Sequence, residues 1–113
     1  MSDEKQKTDI KYFSVVYQKW IESESGWGQR SDGVSLHLTT DDHKIFVKKH
    51  WDDEKKRNPS GITPSIYTRE DGAPGLVDIP EDFYNVLVDR RIDGEYGTFV
   101  SDMHFNALQS TKH

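Results

Sequence analysis

The chain has no cysteine, which removes disulfide stapling and thiol nucleophiles together. Apolar residues are also scarce. They make up only 33% of the chain, against about 45–50% on a count that includes glycine, so the core has to be thin. No apolar run reaches the roughly 18 residues needed to cross a bilayer, and no stretch has the apolar centre of a signal peptide. A soluble, cytoplasmic protein without membrane contact is expected. Positive charge is the last shortage: 15 Lys and Arg stand against 20 Asp and Glu, giving a net charge of −5 with both signs interspersed. Nonspecific nucleic-acid binding depends on clustered cations that displace counterions, and this balance argues against it.

What is present is a set of aromatics, 3 Trp, 5 Tyr and 5 Phe. Each removes about 150–250 Å² from water when buried, so these rings have to supply much of the folding energy. With 113 residues there is room for one domain. A thin core leaves such a domain short of internal burial, and a homo-oligomer is expected on that ground.

Residues 1–9 are polar and aperiodic and read as a flexible tail. Tyr12 to Ile21 alternates as a strand, with Phe13, Val15, Tyr17 and Ile21 on one side and Val16 and Trp20 on the other. Being apolar on both sides, it reads as a central strand. In Val34 to Thr39 the alternation puts Val34, Leu36 and Leu38 inward and Ser35 and His37 outward. The two strands should form an antiparallel hairpin joined by a long polar loop over 22–33, a length that points to function or motion.

A helix should start at Thr39-Thr40-Asp41-Asp42, where hydroxyls cap free N–H groups and the aspartates meet the positive end of the dipole. It should bury Phe46, Val47, His50 and Trp51 and stop before Asn58-Pro59. A wandering loop with an extended piece around 62–68 follows, then a strand at Gly75 to Ile79. Asp78 and Glu81 are spaced like a capping box for a second helix, Pro80 to Ile92, which Gly94 stops. Tyr96 to Val100 reads as a last strand. Residues 103–113 read as a C-terminal tail in which Met103, Phe105 and Leu108 either dock or form an arm for another subunit. The order β-β-α-β-α-β over 10–102 predicts a single α+β domain, a mainly antiparallel sheet with two helices.

No catalytic motif emerges. G-x-S-x-G and H-E-x-x-H are missing, and His43 and His50 lie two helical turns apart, about 10 Å, too far to share an ion. No metal, no cofactor and no enzyme activity are expected. The candidate contact residues are Trp27, Arg30 and Asp32 in the hairpin loop, joined by Tyr67, Arg69 and Arg91. An arginine beside an aromatic can hold an anion with its N–H fork while the ring stacks on a base. The same residues equally serve a protein contact, or simply fold back as a core lid and local ion pairs.

The run Trp20 to Thr39, including Glu22-Ser23-Glu24-Ser25-Gly26-Trp27-Gly28-Gln29-Arg30, is similar to small uncharacterised proteins of bacteria and their phages. The resemblance covers about a sixth of the chain and carries no established activity. It implies a phage or mobile-element accessory protein that counters a host defence. The expectation is therefore a non-enzymatic binding protein acting on a host or partner protein, in the host cytoplasm if phage-encoded. The alternative is a binder of a nucleotide-type signalling molecule, acting as sponge or sensor, and a small hydrolase comes last.

Overall fold

A computed structural model describes residues 10–24, 28–57 and 66–110. Its elements run β1 (Tyr12–Glu24), β2 (Gly28–His37), α1 (Thr40–Arg57), β3 (Ile66–Glu70), β4 (Gly75–Pro80), α2 (Glu81–Ile92), β5 (Thr98–Val100) and α3 (Asp102–Ser110). The fold is α+β, a five-stranded antiparallel sheet with three helices.

The long β1 organises the sheet. On one side it pairs with β2, which in turn pairs with β5. On the other side its first half pairs with β4, from Tyr12 opposite Pro80 to Tyr17 opposite Gly75, and its second half with β3, from Trp20 opposite Glu70 to Glu24 opposite Ile66. β3 and β4 therefore lie end to end along one edge of β1. Pro74 cannot donate to the ladder in the gap between them. The Gln18 side chain works there instead, its amide Nε2 donating to the carbonyl of Gly72 at 2.9 Å.

The long polar loop expected over 22–33 is mostly strand. Glu22 to Glu24 belong to β1 and Gly28 to Gly33 to β2, leaving 25–27 outside the described residues. Polar residues can sit here because the Gly28–Asp32 end of the ribbon is exposed, and β3 alongside pairs the second edge of β1. A bulge between Trp20 and Ile21 adjusts the register, and Gly33 beside it takes φ 116°. A Cβ at Gly33 would meet the Val100 carbonyl oxygen at 2.7 Å, so glycine is required both by conformation and by space.

One face of the sheet presents Val15, Val34, Leu36 and Ile79 to Leu87 of α2 and Phe105 of α3. Phe13 stacks on Tyr84 at 4.2 Å, and Tyr17 tilts against Phe105 at 5.3 Å. The opposite face is covered by α1, and this corrects the expected orientation of β2. Ser35 and His37 are both 0% exposed, as deeply buried as Leu36. Alternation reports two faces correctly, but it is silent on whether the polar one meets water or a helix.

The helix ends follow local chemistry with one exception. Thr39 Oγ1 accepts from the Asp42 N–H at 3.2 Å, as its position predicts, and Lys55, Lys56 and Arg57 fill the last turn of α1. At α2, Asp78 lies in β4 and does not cap: Pro80 holds the N-cap position without a side-chain bond, while the Glu81 N–H donates to the Lys11 carbonyl at 2.9 Å. Gly94 takes φ 83° and returns its N–H to the Arg91 carbonyl at 3.0 Å, closing the helix as expected. The domain continues past residue 102. Ser101 caps α3 by accepting from the His104 N–H at 3.0 Å, and Phe105 drops into the core at 7% exposure. Among the described residues no helix is long and apolar enough to cross a membrane.

Candidate functional site

Beneath α1 lies a chain of buried polar groups. The Trp20 indole N–H donates to Ser35 Oγ at 2.7 Å. Ser35 Oγ lies 2.8 Å from His37 Nε2, and His37 Nδ1 lies 2.9 Å from the Tyr96 carbonyl oxygen. A carbonyl only accepts, so Nδ1 carries the proton, Nε2 is the acceptor, and the Ser35 hydroxyl donates to it. The same reasoning applies to His43, whose Nε2–H donates to Gln18 Oε1 at 2.9 Å, because the Gln18 amide nitrogen is already donating to two carbonyls. The His37 and His43 rings meet edge to face at 5.1 Å. Burial lowers the pKa of His37 from 6.5 to about 4, against an opposing hydrogen bond to Tyr96. His43 is also lowered by burial, with Glu70 pulling the other way.

Serine, histidine and an orienting acceptor thus occur in the order that nucleophilic catalysis uses. The pair is sealed, however. Both side chains are 0% exposed, Trp20 already occupies the serine oxygen, and a histidine with a pKa near 4 is a poor base at neutral pH.

A cavity of about 500 Å³ opens above this layer, between α1 and the connection from α2 into β5. Phe46, His50 and Phe99 line it, with Phe46 and Phe99 tilted together at 5.4 Å. Lys49 and Asp53 border it on the α1 side, while Arg90, Asp93 and Glu95 border it on the other. None of these five charged side chains has a hydrogen bond or ion pair within the described residues. The rim is held from below. Tyr96 takes φ 63°, uncommon for a bulky residue, and its carbonyl is the one His37 holds. Gly97 is packed so closely that a Cβ would collide with His37 Nδ1.

The residues singled out from sequence do not form one site. Arg30, exposed, pairs with Glu22 through an Nε–Oε1 bond of 2.8 Å. Asp32 accepts from the Thr68 hydroxyl at 3.1 Å, and Arg69 donates to the Glu70 carbonyl at 3.3 Å. Arg30 and Asp32 lie on one face at the end of the β2–β1–β3 ribbon, Arg69 is one register position away on the opposite face, and the Tyr67 backbone runs in β3 opposite Ser23. Trp27 lies outside the described residues. Arg91 belongs elsewhere: its Nε and its terminal Nη2 grip the two carboxylate oxygens of Asp42 at 2.9 and 3.0 Å. Asp42 stands in the first turn of α1, whereas β3 is met by His50 and Trp51, so Arg91 is roughly 12 Å along the helix axis from that ribbon. That grip raises the pKa of Arg91, chiefly through the hydrogen bond to Asp42.

The sequence did not assemble this cavity, because its residues come from 46–53 and 90–99, stretches that read singly as a helix face, a helix stop and a last strand. The positive φ at Tyr96 has no local sequence signal. Among the described residues no three or more His, Asp or Glu are grouped to hold a metal ion. Compared with known proteins, the chain matches no family model, no curated protein and no solved structure.

Proposed function

We propose that the protein is a non-enzymatic binding module that engages a partner protein through the cavity between α1 and the α2–β5 connection. The observation that carries this reading is the ring of five charged side chains of both signs, unpaired among the described residues, around an aromatic floor. Charges left unpaired beside exposed aromatic surface are what a protein interface uses for register and specificity. Burial of the Ser35–His37 pair argues against a hydrolase. A nucleotide-type ligand is disfavoured by charge. Lys49 and Arg90 are outnumbered by Asp53, Asp93 and Glu95, and the arginines proposed for phosphate are divided between two places, Arg91 being occupied by Asp42. If the 20–39 run is that of a phage or bacterial accessory protein, the target would be a host protein in the cytoplasm.

A photo-crosslinking residue placed at Phe99, and separately at Arg30, tests this in cells. An adduct with a partner protein is expected from position 99 and not from position 30. Adducts from position 30 alone would move the contact to the ribbon tip and overturn the assignment.

A further inference from the structure

The sheet has two outer edges, and they are protected differently. Along one edge β3 and β4 carry Arg69, Glu70, Asp78 and Pro80, residues that discourage a further strand. The other edge is β5, Thr98-Phe99-Val100, paired among the described residues with β2 alone and bearing neither charge nor proline. Its brevity is its one guard.

The covering of this face stops at the same place. α1 sets His50 against the Thr68 carbonyl at 3.1 Å and Trp51 against Glu70 at 2.8 Å over β3, Phe46 on Trp20 over β1, and His43 beside His37 over β2. On β5 Phe99 is left uncovered, flanked by Phe46 and 45% exposed, while at the opposite edge Leu76 of β4, paired with Val16 on this same face, is 72% exposed in a strand that already includes Asp78 and Pro80. At the β5 edge the uncovered strip is one strand wide, and the next strand position outward, about 4.8 Å away, is empty of described chain.

Resting on the reading that the cavity contacts a partner protein, we infer that the partner contributes an extended segment that adds to β5 as a sixth strand. One of its apolar side chains enters the cavity beside Phe99, and neighbouring residues of both signs meet the rim. Strand addition satisfies the free backbone groups of β5, while period-two alternation sends every second side chain toward the cavity. A helix laid on the strip would satisfy none of those backbone groups. The rim fixes the chemistry of the flanks: a basic residue meets Asp53, Asp93 or Glu95, and an acidic one meets Lys49 or Arg90.

A displayed library of random peptides, selected on the full chain, tests the inference. Enriched sequences should centre on an aromatic or branched apolar residue with a base and an acid nearby. On adding such a peptide, amide exchange at residues 98–100 should slow by roughly tenfold or more. Phe99→Ala should weaken the peptide by roughly tenfold; its side chain is partly in solvent, and far-UV dichroism checks that the variant folds. Reselection on Lys49→Glu, on the exposed face of α1, should replace the acid of the peptide by a base. Binding that depends on Phe99 without protection of residues 98–100 would overturn strand addition and leave the cavity reading standing. No binder, or binders indifferent to Phe99→Ala, would overturn both. Protection of 98–100 in the free protein together with a dimer mass would assign the edge to a second copy and overturn the inference.

Discussion

On one face of the sheet Val15, Val34, Leu36 and Ile79 meet Leu87 and Phe105; on the other, Gln18, Ser35 and His37 are buried to 1% exposure or less and each is hydrogen-bonded, Ser35 to His37 and Gln18 to His43. The first face is held by volume, which several apolar residues can supply in exchange for one another. The second is held by direction, because each donor under α1 has a particular acceptor, and a buried group that loses its partner keeps the cost of leaving water. The polar face is also the one that supports the cavity, through the His37 bond to Tyr96. Substitutions should therefore be tolerated unequally on the two sides.

The largest effect should come from Trp20→Ala, which empties a fully buried site beside Phe46, His50 and Phe99 and strips Ser35 of its donor. Urea unfolding should register a loss of about 3–5 kcal/mol. An equal or larger loss from Leu87→Ala on the apolar side would remove the asymmetry.

Acid provides the next test. The folded pKa of His37, about 4, lies below its ordinary 6.5, so the neutral ring contributes fully above about pH 6.5. That contribution is lost as pH falls toward 4, by about 3 kcal/mol if His37 alone is counted. His43, lowered in the same direction, adds to the fall. Urea midpoints taken from pH 7 to pH 4 should decline, and His37→Gln should flatten the profile. An unchanged slope in that variant would assign the acid sensitivity to other groups.

A smaller contrast compares one atom on each side. Ser35→Ala removes the acceptor of the Trp20 N–H and the donor to His37, and should cost about 1–3 kcal/mol. Ile79→Val removes one methylene from the apolar core, and should cost about 0.5–1.5 kcal/mol. Reversal of that order in thermal or urea unfolding would break the comparison. Least should come from Arg30→Ala, whose side chain is 74% exposed in its pair with Glu22: less than about 1 kcal/mol, shrinking further in salt.

The sequence by itself determined the elements whose causes are local. Thr39 and Asp42 start α1, Gly94 stops α2, and alternation marks β1 and β2, because capping, backbone conformation and side-chain period each act within a few residues. Tertiary structure decided the rest. The polar stretch 22–33 became strand once β3 lay beside it, and Ser35 and His37 turned inward because β1 brought the Trp20 N–H, α1 brought the His43 ring, and the chain near residue 96 brought a carbonyl. The cavity exists only where residues some 37 to 46 positions apart converge, Lys49 and Asp53 against Arg90 and Glu95. A period along a strand fixes which side chains share a face; what that face meets is fixed by the partner that arrives from elsewhere in the chain.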